Sequence, residues 1–154
     1  MRFSEKYQQI YPLKPGDHNA GVDGDSFNLG LGHTICFQVA LAALTGSAIL
    51  YVYSGAAAGT KTTAETFNYR MSEGIQGAAS CDLFGDWSTS AGLTLTDGTY
   101  DNTMVVVELD ARTLTDGQPW VTINLSSAAS ALNAAITGMV ERRYSAHDGP
   151  TMAA

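Results

Sequence analysis

At 154 residues the chain is long enough for one domain whose core needs no disulfide or metal to hold it. Its net charge of −7, with 8 basic against 15 acidic residues, excludes the Lys/Arg footprint of a nucleic-acid binder. No stretch reaches the ~18 apolar residues of a membrane helix, so neither nucleic acid nor a membrane is an expected partner.

Charged residues make up only 15% of the chain, against roughly 25% in ordinary soluble domains. Gly, Ala, Ser and Thr are abundant, which describes small, neutral surfaces suited to lasting contact with a partner. Between Met71 and Ala111 there is no Lys or Arg, while Glu73, Asp82, Asp86, Asp97, Asp101, Glu108 and Asp110 are all acidic. The opening residues lack the apolar core of a secretion signal, so folding in a cytoplasm is expected. Cys36 and Cys81 are too few for a disulfide framework and are expected as free thiols.

In chain order, residues 1–31 read as irregular, punctuated by Pro12, Pro15, Gly16, Gly21, Gly24 and Gly30. A helical turn over Ser4 to Ile10, capped by Ser4, is followed by an extended arm and a short strand near Ser26 to Leu29. Ile35, Phe37, Val39 and Leu41 alternate with polar or small residues, as in a half-buried strand. Thr45-Gly46-Ser47 turns the chain. Ala48 to Tyr53 is a continuous apolar run, expected as a central strand with Ile49 and Tyr51 in the core. Gly55 to Thr63 reads as loop. Phe67, Tyr69 and Met71 mark another strand, and weaker ones cover Cys81 to Trp87 and Gly92 to Thr96.

Met104 to Leu125 is the clearest stretch. Val105, Val107 and Leu109 fall on one face of a strand, and Val121, Ile123 and Leu125 repeat the period. Between them Asp110 to Leu114 suffices for one helical turn, and Asp116-Gly117 with Pro119 turns the chain back. Ala134 to Arg142 is alanine-rich, but Thr137, Gly138 and the β-branched Ile136 and Val140 favour a strand over a helix. The expected core is Ile35, Phe37, Val39, Ile49, Tyr51, Phe67, Val105, Val107, Val121, Ile123 and Ile136. The expected fold is all-β, an antiparallel β-sandwich or jelly-roll-like barrel of about eight strands. Residues 1–25 would be an extended N-terminal arm, 26–144 the sandwich and 145–154 a tail.

Catalytic and metal-binding patterns are weak. His18, His33 and His147 are not at metal-ligand spacing. Asp17, Asn19, Asp23 and Asp25 do not follow the EF-hand pattern and read as turn residues. Gly30-Leu31-Gly32 precedes a strand, so it lacks the helix N-terminus a phosphate loop needs. Asn124-Leu125-Ser126 matches a glycosylation sequon but lies in a predicted strand. Arg142-Arg143-Tyr144 reads as a solvated strand end. Trp87 and Trp120 could form a sugar-binding platform, although core packing is the commoner fate of a strand-side tryptophan. No catalytic residue, cofactor or metal is expected.

Four segments carry a resemblance. They are the opening Arg2-Phe3-Ser4-Glu5-Lys6-Tyr7, then Gly24-Asp25-Ser26, then Val106-Val107-Glu108-Leu109-Asp110-Ala111 with Leu114 and Gly117, and the closing Arg143-Tyr144. With these the chain resembles small β-rich structural proteins from the capsid-assembly modules of tailed bacteriophages. It departs from them after the final strand, where Glu141-Arg142 replaces the more typical Asp-Pro. The resemblance implies a virion component without catalytic residues, and above all a decoration (cement) protein on the outside of an icosahedral head. The implied partners are the major capsid protein and further copies of the chain, as a trimer at a threefold position. The virion surface would be its location, after assembly in a host cytoplasm. Phe3, Tyr7, Ile10, Tyr11 and Leu13 are the expected interface anchors, apolar side chains along an arm with no element of its own. A head–tail connector or tail component, and a carbohydrate-binding or host-attachment module, are the alternative roles.

Overall fold

Alternation with a period of two, repeated from Ile35 onward, produces strands with one apolar and one polar face, and two such sheets bury their apolar faces against each other. The computed structural model describes residues 6–75, 77–127, 129–143 and 152–153. It is 61% strand and 7% helix, two antiparallel sheets packed as a β-sandwich, with more strands than the eight expected.

In chain order the strands are β1 (Tyr7–Asp17), β2 (Val22–Asp23), β3 (Ser26–Asn28), β4 (Gly32–Thr45), β5 (Ser47–Gly55), β6 (Thr63–Ala64) and β7 (Phe67–Met71). They continue as β8 (Ser88–Ser90), β9 (Leu93–Thr96), β10 (Met104–Asp110), β11 (Trp120–Ser127), β12 (Ala131–Arg142) and β13 (Met152–Ala153). The first sheet runs β1-β12-β4-β10-β7-β8. The second runs β13-β3-β11-β5-β6, with β2 also on β11 and β9 also on β5. Ile35, Phe37, Val39, Val105, Val107 and Ile136 from the first sheet share one core with Leu50, Val52, Val121, Ile123 and Leu125 from the second. Each fully buried large side chain contributes about 1.5–3 kcal/mol. The strand assigned to the alanine-rich C-terminal segment is present as β12, and its register on β4 pairs Ile136 with Val39 and Val140 with Ile35.

Several expectations are corrected. The segment read as an irregular arm is, from Tyr7, an 11-residue strand paired antiparallel with β12. Its register shifts between Ile10 and Leu13 and again between Leu13 and Gly16. Those irregularities, on an edge strand, are where Pro12 and Pro15 are tolerated despite lacking an N–H. No helical turn reaches Ile10, because Tyr7 to Ile10 are already strand; Ser4 lies outside the described residues. Ile49 and Tyr51 are not core residues. They sit half-buried on the outer face of β5, and Ala48, Leu50 and Val52 point inward. Residues 81–87 are not a strand. Phe84 makes one isolated bridge to Ser72, and the strand begins at Ser88. In the stretch read as a tail, β13 pairs back onto β3.

Most linkers change sheets, and two of these crossovers show how the corners are held. β4 pairs with β10 and β12, whereas β5 pairs with β6, β9 and β11, so the chain crosses the sandwich at Gly46. Gly46 has φ +100°, and a Cβ there would lie 3.2 Å from the Ala129 Cα, so only glycine suits the corner. The one-turn helix Asp97–Tyr100 and its neighbour Asp101 brace it: Asp101 Oδ1 accepts from the Leu44 N–H at 2.8 Å.

Another crossover links β10 to β11 through a 3-10 turn at Ala111–Thr113. Asp110 caps it, accepting from the Arg112 N–H at 2.8 Å and from the guanidinium Nε at 3.1 Å. Those bonds hold the Asp110 carboxyl down at about 2. Glu65 anchors the far side. It is 7% exposed, and its Oε1 accepts from Ser54 Oγ at 2.5 Å, Thr115 N at 3.1 Å and Thr115 Oγ1 at 3.0 Å. The Ser54 hydroxyl also lies 2.8 Å from the side-chain oxygen assigned to Gln118. One hydroxyl proton serves one acceptor, so with Glu65 taking it the Gln118 amide presents its NH2 to Ser54.

Candidate functional site

The residues singled out as anchors divide. Ile10 and Leu13 are 6% and 7% exposed and belong to the chain's own core. Tyr7 is half-buried beside Glu141 of β12, with the Lys6 Nζ 5.0 Å from its ring centroid. Tyr11, 51% exposed, is the member of the set that faces solvent among the described residues. Phe3 lies outside the described residues.

A stronger apolar surface lies elsewhere. The connection from β7 to β8 folds on itself through turns: the Ala78 N–H donates to the Ile75 carbonyl at 3.0 Å, and the Cys81 N–H to the Ala78 carbonyl at 3.2 Å. Glu73 N–H donates to the Leu83 carbonyl at 2.8 Å and closes the loop. It leaves Ile75 and Leu83 each 54% exposed and Trp87 45% exposed. Core packing, expected for Trp87, does not occur. Instead the Arg70 guanidinium, on the outer face of β7, lies 4.6 Å from the Trp87 ring and 5.1 Å from Phe84. Arg70 Nε is buried without a hydrogen-bond partner, and the two aromatic rings lie within cation–π distance of the guanidinium.

The loop continues into the outer face of the first sheet. Val106 pairs with Arg70 and with Gln38, and Glu108 pairs with Asn68 and Cys36. Val106 is 7% exposed although it points away from the core. Cys36 lies on this face with Met139 beside it on β12. Burial pushes its thiol up to about 11, and Glu108 adds to the rise while Arg70 opposes it. A thiol so displaced from neutrality is a poor nucleophile at physiological pH. Both cysteines are free, Cys36 half-buried and Cys81 exposed.

The chain matches no family model, no curated protein and no solved structure.

The remaining motifs have local duties. Asp17 Oδ1 accepts from the Leu132 N–H at 2.9 Å and from Asn19 N–H at 3.2 Å, tying the end of β1 to β12. Asn28 Oδ1 caps the 3-10 turn at Leu29–Leu31 by accepting from the Gly30 N–H at 2.9 Å. Arg143 Nε donates to the Gly32 carbonyl at 3.0 Å. Among the described residues no three His, Cys, Asp or Glu side chains gather as a metal site would need. His147 lies outside the described residues, and His18 Nε2 is 3.1 Å from the Lys14 carbonyl. Trp120 is half-buried at the start of β11, beside Gly55 and Asn28. The loop's apolar residues are isolated in sequence among Gly, Ala, Ser and Asp, and that isolation was the signal that an exposed surface, rather than a strand, lies there.

Proposed function

We propose that this chain is a virion structural protein, a decoration (cement) protein that binds the outer surface of a capsid and stabilises the head. The observation that carries the reading is the turn-braced loop between β7 and β8, which presents Ile75, Leu83 and Trp87 to solvent on a body of low charge density. Large apolar side chains on a turn-braced backbone make good anchors, because less backbone ordering entropy is lost when they dock. The sequence resemblance to phage capsid-assembly proteins supports the same role. A sandwich whose strands are closed by bulged or very short edges resists strand-to-strand aggregation at the high local concentration of a shell. The partners proposed are the major capsid protein and further copies of the chain, arranged as a trimer, with the loop rather than the N-terminal segment as the main contact.

Quantitative mass spectrometry of purified particles tests this. A copy number comparable to that of the shell protein is the expected result. The copy number of a single ring at one vertex would instead make the chain a head–tail connector or tail component. Absence from particles would refute the reading. Replacing Ile75, Leu83 and Trp87 together by Ser should leave the sandwich folded and abolish attachment.

A further inference from the structure

The outer face of the second sheet carries a cleft that the capsid reading does not use. Three strands build its floor. Tyr51 of β5 pairs with Asn124 of β11, which pairs with Asp23 of β2, so these three side chains lie in one row. Tyr53, two residues on, stands beside Tyr51 with ring centroids 5.4 Å apart and planes tilted by 33°. The loop from β5 to β6 closes one side and brings Lys61 over this row. Its Nζ donates to Asp23 Oδ1 at 2.8 Å and lies 5.7 Å from the Tyr53 centroid. That loop is held down by Gly59 N–H donating to Ser26 Oγ at 2.9 Å. The turn at Gly21 forms the opposite wall of a shallow, open cleft of about 550 Å³, within the usual volume of small-molecule sites at about 300–1,000 Å³.

The chemistry of the floor is specific. Asn124 is 9% exposed, and its Nδ2 donates to Asp23 Oδ1 at 2.7 Å and to the Val22 carbonyl at 3.3 Å. Both amide protons are thereby used, which leaves its Oδ1 as an acceptor. Lys61 and Asn124 both donate to Asp23 Oδ1, so Oδ2 keeps its acceptor capacity. Lys61 retains two of its three N–H donors. Partial burial pushes the Asp23 carboxyl up, but the Lys61 and Asn124 contacts together outweigh it and hold the group below its ordinary value. The cleft therefore offers adjacent donors and acceptors beside two aromatic rings, with its one cation already neutralised.

We propose that this cleft binds a neutral pyranose sugar. Each hydroxyl of a vicinal diol is both donor and acceptor, and the Lys61–Asp23–Asn124 set supplies the complement of both. The apolar C–H face of a pyranose ring suits the tyrosine pair. A free anion is disfavoured, because Lys61 is already paired and the chain carries −7 overall. The sequence offered Trp87 and Trp120 as a sugar platform only as an alternative to core packing; the residues proposed here are instead 23, 51, 53, 61 and 124.

The test is an NMR titration of the full chain with methyl α-D-glucopyranoside, methyl β-D-galactopyranoside, methyl α-D-mannopyranoside and N-acetyl-D-glucosamine, with N-acetylneuraminic acid as an anionic control. At least one neutral sugar should shift the Tyr51 and Tyr53 ring signals with a Kd on the order of 1 mM, about −4 kcal/mol. Tyr53→Ala and, independently, Lys61→Met should each weaken binding by about tenfold or more, while Trp87→Ala leaves it unchanged. Lys61 is an exposed loop residue outside the core, so that variant keeps the fold and the aromatic pair. No shift with any neutral sugar, binding of the anion alone, or binding indifferent to Lys61→Met would each overturn the proposal. Failure here leaves the capsid reading standing, since that reading rests on particle copy number and on the opposite sheet.

Discussion

Replacing Glu65 by Ala probes the crossover between the two sheets. The carboxylate is almost fully enclosed and takes part in none of the three ion pairs among the described residues. Hydrogen bonds to a charged acceptor are worth about 1.5–3 kcal/mol each, and a buried donor left unsatisfied costs about 1–3 kcal/mol. Ser54 is fully buried and loses its closest partner. Thr115 is exposed and can turn its N–H and hydroxyl to water, so those two bonds return little when lost. Against this, Ala removes the cost of burying a carboxylate with no cation beside it. The net expectation is a destabilisation of about 2 kcal/mol. At about 2–4 °C per kcal/mol for a chain of this size, Tm should fall by about 4–8 °C. Glu65→Gln, which keeps an acceptor of the same shape, should cost less. Urea and thermal unfolding of both variants measure this. Ser54→Ala combined with Glu65→Ala should cost less than the sum of the two, because they share one bond. A Glu65→Ala protein within about 0.5 kcal/mol of the parent would refute the argument, showing that desolvation cancels the whole network.

Removing residues 1–13 should destabilise the sandwich. It strips Ile10 and Leu13 from the core, at about 1.5–3 kcal/mol for each large side chain, and bares the edge of β12. Size-exclusion chromatography and thermal unfolding would show this, and an unchanged Tm would contradict the role given to β1. Gly138→Val should cost about 1–3 kcal/mol, because a Cβ there meets Ile10 Cγ1 at 3.0 Å and the Cys36 carbonyl at 3.1 Å; chemical denaturation measures it. With its thiol raised to about 11, Cys36 should be about a thousandth thiolate at about pH 8 and react far more slowly with a disulfide reagent than exposed Cys81. Equal rates would contradict that. Asp110 is a depressed carboxyl, so its contribution is present above its ordinary value of 3.8 and is lost as pH falls through about 2. The Arg112 partner is 83% exposed, which makes the contribution small; an NMR titration of the Asp110 carboxyl should show the low midpoint directly.

What the sequence determined by itself was the class and most of the central strands. Between Ile35 and Leu41, Val105 and Leu109, Val121 and Leu125, and Ala134 and Val140, one face is apolar and the other is not, and only one pleat satisfies that pattern. β5 carried no such signal, because Ile49, Tyr51 and Tyr53 are as apolar as Ala48, Leu50 and Val52. Its facing was decided by register on β11 and β9. Pro12 and Pro15 disguised β1, since they argue against a strand everywhere except at an edge with irregular register. The stretch from Met104 to Leu125 looked like a strand, a turn and a returning strand. Whether the second strand returns to the same sheet or crosses to the other depends on what each half pairs with, and that is a tertiary fact. The same holds for the two surfaces. The exposed loop follows from turns that close Glu73 onto Leu83. The cleft brings Asp23, Tyr51, Lys61 and Asn124 together from distant points in the chain, and only strand pairing across the second sheet makes them neighbours.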